Sequence, residues 1–173
     1  MILYILPNKD DYSEQPFFYI EQMLENIKKK GGELTGFQFN AKQFRVVNKT
    51  FKSKIIFISA QGSSKGKSFS ANLIGIDEAA YIDDENMYEQ ASNSTSDTKG
   101  RMWAVSTINI ETPINRFFYK KIGLEGMKDG KVFTVDIYNN PFLSKEEIEK
   151  KERQYKFRNQ NVRLADWMAI FVG

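Results

Sequence analysis

Five short apolar runs, each cut off by turn residues, constrain this chain more than anything else in it. Ile2 to Leu6 is apolar and stopped by Pro7, which reads as a buried strand. Lys54 to Ala60, Leu73 to Asp77, Met102 to Thr107 and Val132 to Ile137 read the same way. Gln43 to Asn48 is a further strand, with a turn at Asn48-Lys49-Thr50 before the next. Between these runs the spacing changes to helical. Pro16 suits a first helical turn. Phe17, Ile20, Leu24 and Ile27 then recur at helical intervals until Gly31-Gly32. Ile114 to Ile122 carries a second helical pattern. Ser144 to Lys156 is a third, opened by a capping box of Ser144 with Glu147. Strands alternating with helices imply an α/β fold in three layers, a sheet with helices on both faces. Phe37 to Ala60 departs from the alternation and reads as an antiparallel insertion; the polar stretch Ser92 to Lys99 reads as a loop.

Composition then removes whole classes of chemistry. The chain has neither cysteine nor histidine. Disulfides, thiolate or imidazole metal sites and a histidine general base are excluded. Asp, Glu, Lys, Arg, Ser and Thr remain. The net charge of +3 is too small, taken over the whole chain, to argue for nucleic-acid binding. No apolar run approaches the roughly 20 residues that span a bilayer. The N-terminus lacks the basic region of a signal peptide, so a cytoplasmic protein is expected.

The most informative residues are Leu73-Ile74-Gly75-Ile76-Asp77-Glu78, an apolar strand ending in two acids. Ligands of open α/β sheets bind beyond the carboxyl ends of the strands. There the first acid, Asp77, can hold a magnesium ion through water, and the second, Glu78, can orient or deprotonate an attacking water. This is a Walker B pattern. Ala79 and Ala80 follow and, being small, are expected to leave room for nucleotide and water. Ser106 and Thr107 end another apolar strand, where hydroxyls can reach a γ-phosphate. Gly62 to Ser68 ends in Gly-Lys-Ser like a phosphate-binding loop. Only Phe69 to Asn72 separate it from the next strand, so the helix that such a loop must open has no room.

Phe57 through Tyr81 resembles the large subunit of phage terminases, the ATPase motors that package DNA. Members carry a serine-rich turn, a basic-Gly pair and a Walker B strand ending in Asp-Glu. Lys65-Gly66 stands where many have Arg-Gly, which marks Lys65 as a phosphate-contacting candidate. Ser106-Thr107-Ile108-Asn109 matches the ATP-coupling motif, usually Ser-Thr-Pro-Asn, and assigns coupling roles to Ser106, Thr107 and Asn109. Asn115 to Tyr119 and Asn139-Asn140-Pro141 also match; near Arg163 the acid, Asp166, is displaced from the family's pattern.

The resemblance implies a P-loop NTPase sheet of the RecA-like type, with residues 1–173 as one partial ATPase domain. The first strand, its Walker A loop and the nuclease domain are expected to lie outside these residues. The implied cofactors are ATP and Mg2+. The implied partners are double-stranded DNA, the Walker A segment, the nuclease domain, the small terminase subunit, the portal and further copies of the chain. The place of action is the host cytoplasm, at the procapsid. A superfamily-2-type helicase core is the nearest rival, since it pairs an Asp-Glu-Ala box with a Ser-Ala-Thr motif. A non-catalytic prophage remnant serving as an interaction module is the third reading.

Overall fold

A computed structural model of the chain describes residues 1–8, 16–33, 36–61, 69–82, 84–106, 118, 128, 132–133, 135 and 137–155. The chain divides into two compact units, Met1–Val105 and Ser106–Gly173.

The first unit holds a six-stranded mixed sheet. Its strands are β1 (Ile2–Leu6), β2 (Phe37–Asn40), β3 (Arg45–Asn48), β4 (Ser53–Ser59), β5 (Leu73–Ile76) and β6 (Arg101–Ala104), in the order β2-β3-β4-β1-β5-β6. β4, β1, β5 and β6 run parallel. The antiparallel insertion therefore comprises β2 and β3 alone, and β4 belongs to the parallel core. Strands of a parallel sheet are covered on both faces and read as unbroken apolar runs. β1 and β5 follow that rule: Leu3, Ile5, Ile74 and Ile76 are at most 2% exposed. Each such side chain stabilises the fold by about 2–3 kcal/mol relative to an exposed one.

Alternation sorts the two faces. Tyr4 and Leu6 share one with Phe57, and Leu3 and Ile5 share the other with Ile74 and Ile76. Helix α1 (Pro16–Lys29) covers the first face, placing Phe17 and Leu24 on Leu6, Val46 and Phe57. Its end is a Schellman motif: Gly31 has φ of 78°, its N–H donates to the Lys28 carbonyl, and the Gly32 N–H donates to that of Ile27. Helix α2 (Glu85–Ser96) covers the second face, with Met87 and Ala91 beside Leu3 and Ile5. Two helices on opposite faces make the three expected layers.

Helix α2 corrects the loop expected over Ser92–Lys99, because Ser92 to Ser96 are helical. Asp84 caps its start by accepting the Asn86 N–H. Met87, Tyr88, Ala91 and Ser94 lie buried on one side. The hydroxyls of Ser94 and Thr95 donate back to the carbonyls of Gln90 and Ser92, so a run that usually favours turns is satisfied inside a helix.

In the second unit, α3 (Lys145–Tyr155) begins with the expected capping box. The Ser144 N–H and Oγ both donate to Glu147, and the Glu147 N–H donates to Ser144 Oγ. These bonds hold the Glu147 carboxyl below its ordinary value. The strand expected over Val132–Ile137 is not seen where it is described: Val132, Phe133 and Val135 belong to no strand, and Ile137–Asn139 form a 3-10 turn. Phe133 and Val135 are exposed. Their composition favours a strand only where neighbours bury them, and here they stay open to solvent. The expected helix Ile114–Ile122 lies outside the described residues except residue 118.

Candidate active site

β5 lies between β1 and β6, so whatever leaves its carboxyl end emerges at the centre of the parallel edge. Asp77 is the first residue beyond it. Its N–H donates to the Ile5 carbonyl at 2.9 Å, extending the ladder by one residue. Both oxygens of its half-buried carboxylate are engaged. Oδ2 accepts the Tyr4 hydroxyl at 2.8 Å, and Oδ1 accepts the Glu78 N–H at 3.0 Å. Burial pushes the Tyr4 hydroxyl well above its ordinary value, and the bond to Asp77 and its charge add to the shift. Tyr4 therefore stays protonated and donates.

Glu78 is exposed and left-handed, with φ 47° and ψ 42°. That conformation costs a non-glycine residue about 1 kcal/mol, and such strain concentrates at functional sites. The turn beyond is tied down. The Ala79 N–H donates to the Val105 carbonyl at 3.1 Å, and the Val105 N–H donates to that of Ile76 at 2.8 Å. The Tyr88 hydroxyl donates to the Ala79 carbonyl. Ala79 and Ala80 are each 1% exposed. Their small size lets the 3-10 turn Ala79–Tyr81 sink into the protein, which corrects the expectation that they open space for nucleotide.

Val105, just beyond β6, lies at the same edge as the acids, and Ser106 is the first residue of the second unit. Thr107, Asn109 and Lys65 lie outside the described residues, as does the loop 62–68. Phe69 to Asn72, which lead into β5, contain no helix. Among the described residues no three Asp or Glu side chains gather as a metal cage. A divalent ion at this edge would take few protein oxygens and complete its shell with water and phosphate, as magnesium does. Each Asp77 oxygen keeps a second lone pair for such a water. The donor set therefore fits. A small cavity of about 10 Å³ lies under α2, on the opposite face from Asp77, and has room for no more than about one water.

Two features of the structure go beyond the sequence motifs. Tyr4 is one; its only signal is a phenol in an otherwise aliphatic strand. The other is charge segregation. Residues 34–76 contain six lysines, one arginine and no acid. The parallel strands start at the edge opposite Asp77, and there Lys49, Lys52, Lys54, Lys99 and Arg101 are exposed. The tight turn after β3 presents two of them, Lys49 and Lys52: Asn48 accepts the Phe51 N–H, Lys52 has φ of 50°, and Phe51 is 79% exposed. Asp97 is the acid nearest in sequence to Lys99. A net charge of +3 over the whole chain does not reveal this local cluster of bases.

The fold matches solved structures of phage large terminases. The ATPase domain of the large terminase of Thermus phage P74-26 superposes with a TM-score of 0.62 at 17% identity, over 99% of this chain and 76% of that one. The large terminase of another thermophilic bacteriophage, in complex with ADP, gives 0.69 at 13% identity, over 99% of this chain. The same enzyme in complex with ATP-γ-S gives 0.66 at 14%. The chain spans about 40% of that second enzyme's length. Neither a protein-family model nor a curated protein sequence matches the chain. The fold is thus that of a terminase ATPase domain. No helix among the described residues is long and apolar enough to cross a membrane.

Proposed function

We propose that the chain is the Walker B and coupling-motif half of the ATPase motor of a terminase large subunit, driving double-stranded DNA into a capsid by ATP hydrolysis. The observation that carries this reading is the acid pair at the carboxyl end of a central parallel strand, within a fold matched by terminase ATPase domains. Asp77 would hold a magnesium ion, and Glu78 would accept the proton of the water attacking the γ-phosphate. Bound magnesium neutralises charge on the phosphates. Ser106, Thr107 and Asn109 couple the γ-phosphate to motion, and Lys65 contacts phosphate. A Walker A segment supplies the phosphate cradle; a nuclease domain, small subunit and portal complete the machine in the host cytoplasm. The phage terminase complexes with ADP and ATP-γ-S support nucleotide as the ligand.

Joined to a Walker A segment, the chain binds a fluorescent ATP analogue with Mg2+. Asp77→Asn weakens that binding at least tenfold and makes it insensitive to EDTA. Equal, EDTA-sensitive affinity in the variant overturns the assignment of Asp77.

The basic amino edge supports DNA as the partner. A short duplex binds the chain with an affinity that falls steeply with salt. Reversing Lys52 and Lys54 to Glu weakens binding and lowers the slope of log affinity against log salt by about 2, near 1 per lost phosphate contact. An unchanged slope by fluorescence anisotropy removes this edge from the interface.

A further inference from the structure

The acid pair has an anchor on the neighbouring strand. In the parallel register Tyr4 stands opposite Gly75, and its hydroxyl reaches Asp77, two residues further on and just past the end of β5. Gly75 makes the reach available. A Cβ there would lie 2.9 Å from the Trp103 ring and 3.2 Å from the Tyr4 ring, closer than side chains pack. Without it, the Tyr4 ring sits between Phe57, at 5.5 Å between centroids, and Trp103, at 6.3 Å. Rings on both sides fix where the hydroxyl points. The hydroxyl fixes Oδ2, and the Glu78 N–H fixes Oδ1.

An unanchored aspartate at a strand end would sample several rotamers. This one is held in a single orientation by a donor from the neighbouring strand and one from its own turn. We propose that Tyr4 is a positioning residue for the metal-bearing acid: it sets the orientation in which the Asp77 carboxylate meets a divalent cation's water shell. The proposal rests on the reading of Asp77 as the metal acid. Outer donors of this kind, when removed, typically weaken metal binding by 10–100-fold. Tyr4→Phe is the informative change, because it keeps the ring between Phe57 and Trp103 and deletes only the oxygen.

The test uses the 173-residue chain and Mn2+ as the probe, since its paramagnetism broadens nearby amide signals even at a weak site. In the unsubstituted chain, Mn2+ broadens the amide signals of Asp77, Glu78 and Ala79. Tyr4→Phe keeps the amide spectrum of the sheet but needs about tenfold more Mn2+ for the same broadening. Asp77→Asn loses it. If Tyr4→Phe titrates like the unsubstituted chain while Asp77→Asn loses the effect, Tyr4 is a satisfied core hydroxyl and the positioning role is overturned, with the metal site intact. If the unsubstituted chain shows no broadening there, or Asp77→Asn retains it, the metal reading falls and the positioning role with it. A lowered melting temperature in Tyr4→Phe with an unchanged Mn2+ titration counts against the proposal.

Discussion

Glu78→Gln lowers phosphate release by the chain joined to a Walker A segment roughly a thousandfold, within the 10²–10⁴ range of a positioned general base. Nucleotide binding survives, because the amide keeps the shape and hydrogen-bonding reach of the acid while losing its affinity for the water's proton. The backbone adds an independent check. Glu78 occupies a left-handed conformation that glycine adopts without strain. Glu78→Gly therefore abolishes turnover at little cost in stability. Relief of about 1 kcal/mol of strain offsets the entropy that glycine adds to the unfolded chain, and the melting temperature stays within about 3 °C of its original value. A residue kept for stability would lower the melting temperature and spare turnover. Calorimetry and a phosphate-release assay on the two variants separate these cases.

Ile74→Ala has the largest expected effect on stability. Ile74 is fully buried in β5, on the face covered by α2, and pairs in register with Leu3 and Met102. Truncation removes apolar contacts and leaves a cavity that a strand bonded on both sides cannot collapse. The cost is about 3 kcal/mol, within the 2–5 kcal/mol seen for such truncations. In a chain of this size that lowers the melting temperature by roughly 10 °C. The control is Ile27→Ala on α1, where the side chain is 38% exposed and the cost stays below about 1 kcal/mol. Equal shifts in the two variants would show that the described core does not carry the stability.

Features set by neighbours in sequence are legible without the fold. β1 and β5 announce themselves because burial on both faces demands apolar residues at every position. The ends of α1 and α3 are visible because Gly31-Gly32 and Ser144 with Glu147 act within a turn or two. Asp77 and Glu78 are legible because an acid pair directly after such a strand sits where ligands of parallel sheets bind. Features made by distant residues are not legible. Tyr4 and Asp77 are 73 residues apart and meet only because β1 and β5 are parallel neighbours. The polar residues of α2 look like a loop until their hydroxyls are seen bonding the helix's own carbonyls. Ala79 and Ala80 read as an opening because smallness in sequence does not distinguish a cavity from close packing. The basic edge stays hidden because a net charge says nothing of where in the fold the charges stand.

The assignment of Asp77 and Glu78 as the hydrolytic pair is tested most directly by phosphate release from the chain alone and from the chain joined to a Walker A segment, each with and without Glu78→Gln. In the proposed reading the acids supply a metal site and a proton acceptor but no cradle for the triphosphate, and each missing donor to the transition state costs on the order of a hundredfold in rate. The expected result is no release above background from the chain alone, turnover from the joined protein, and its loss on Glu78→Gln. Robust turnover by the chain alone that Glu78→Gln leaves untouched would contradict the account and place the chemistry elsewhere.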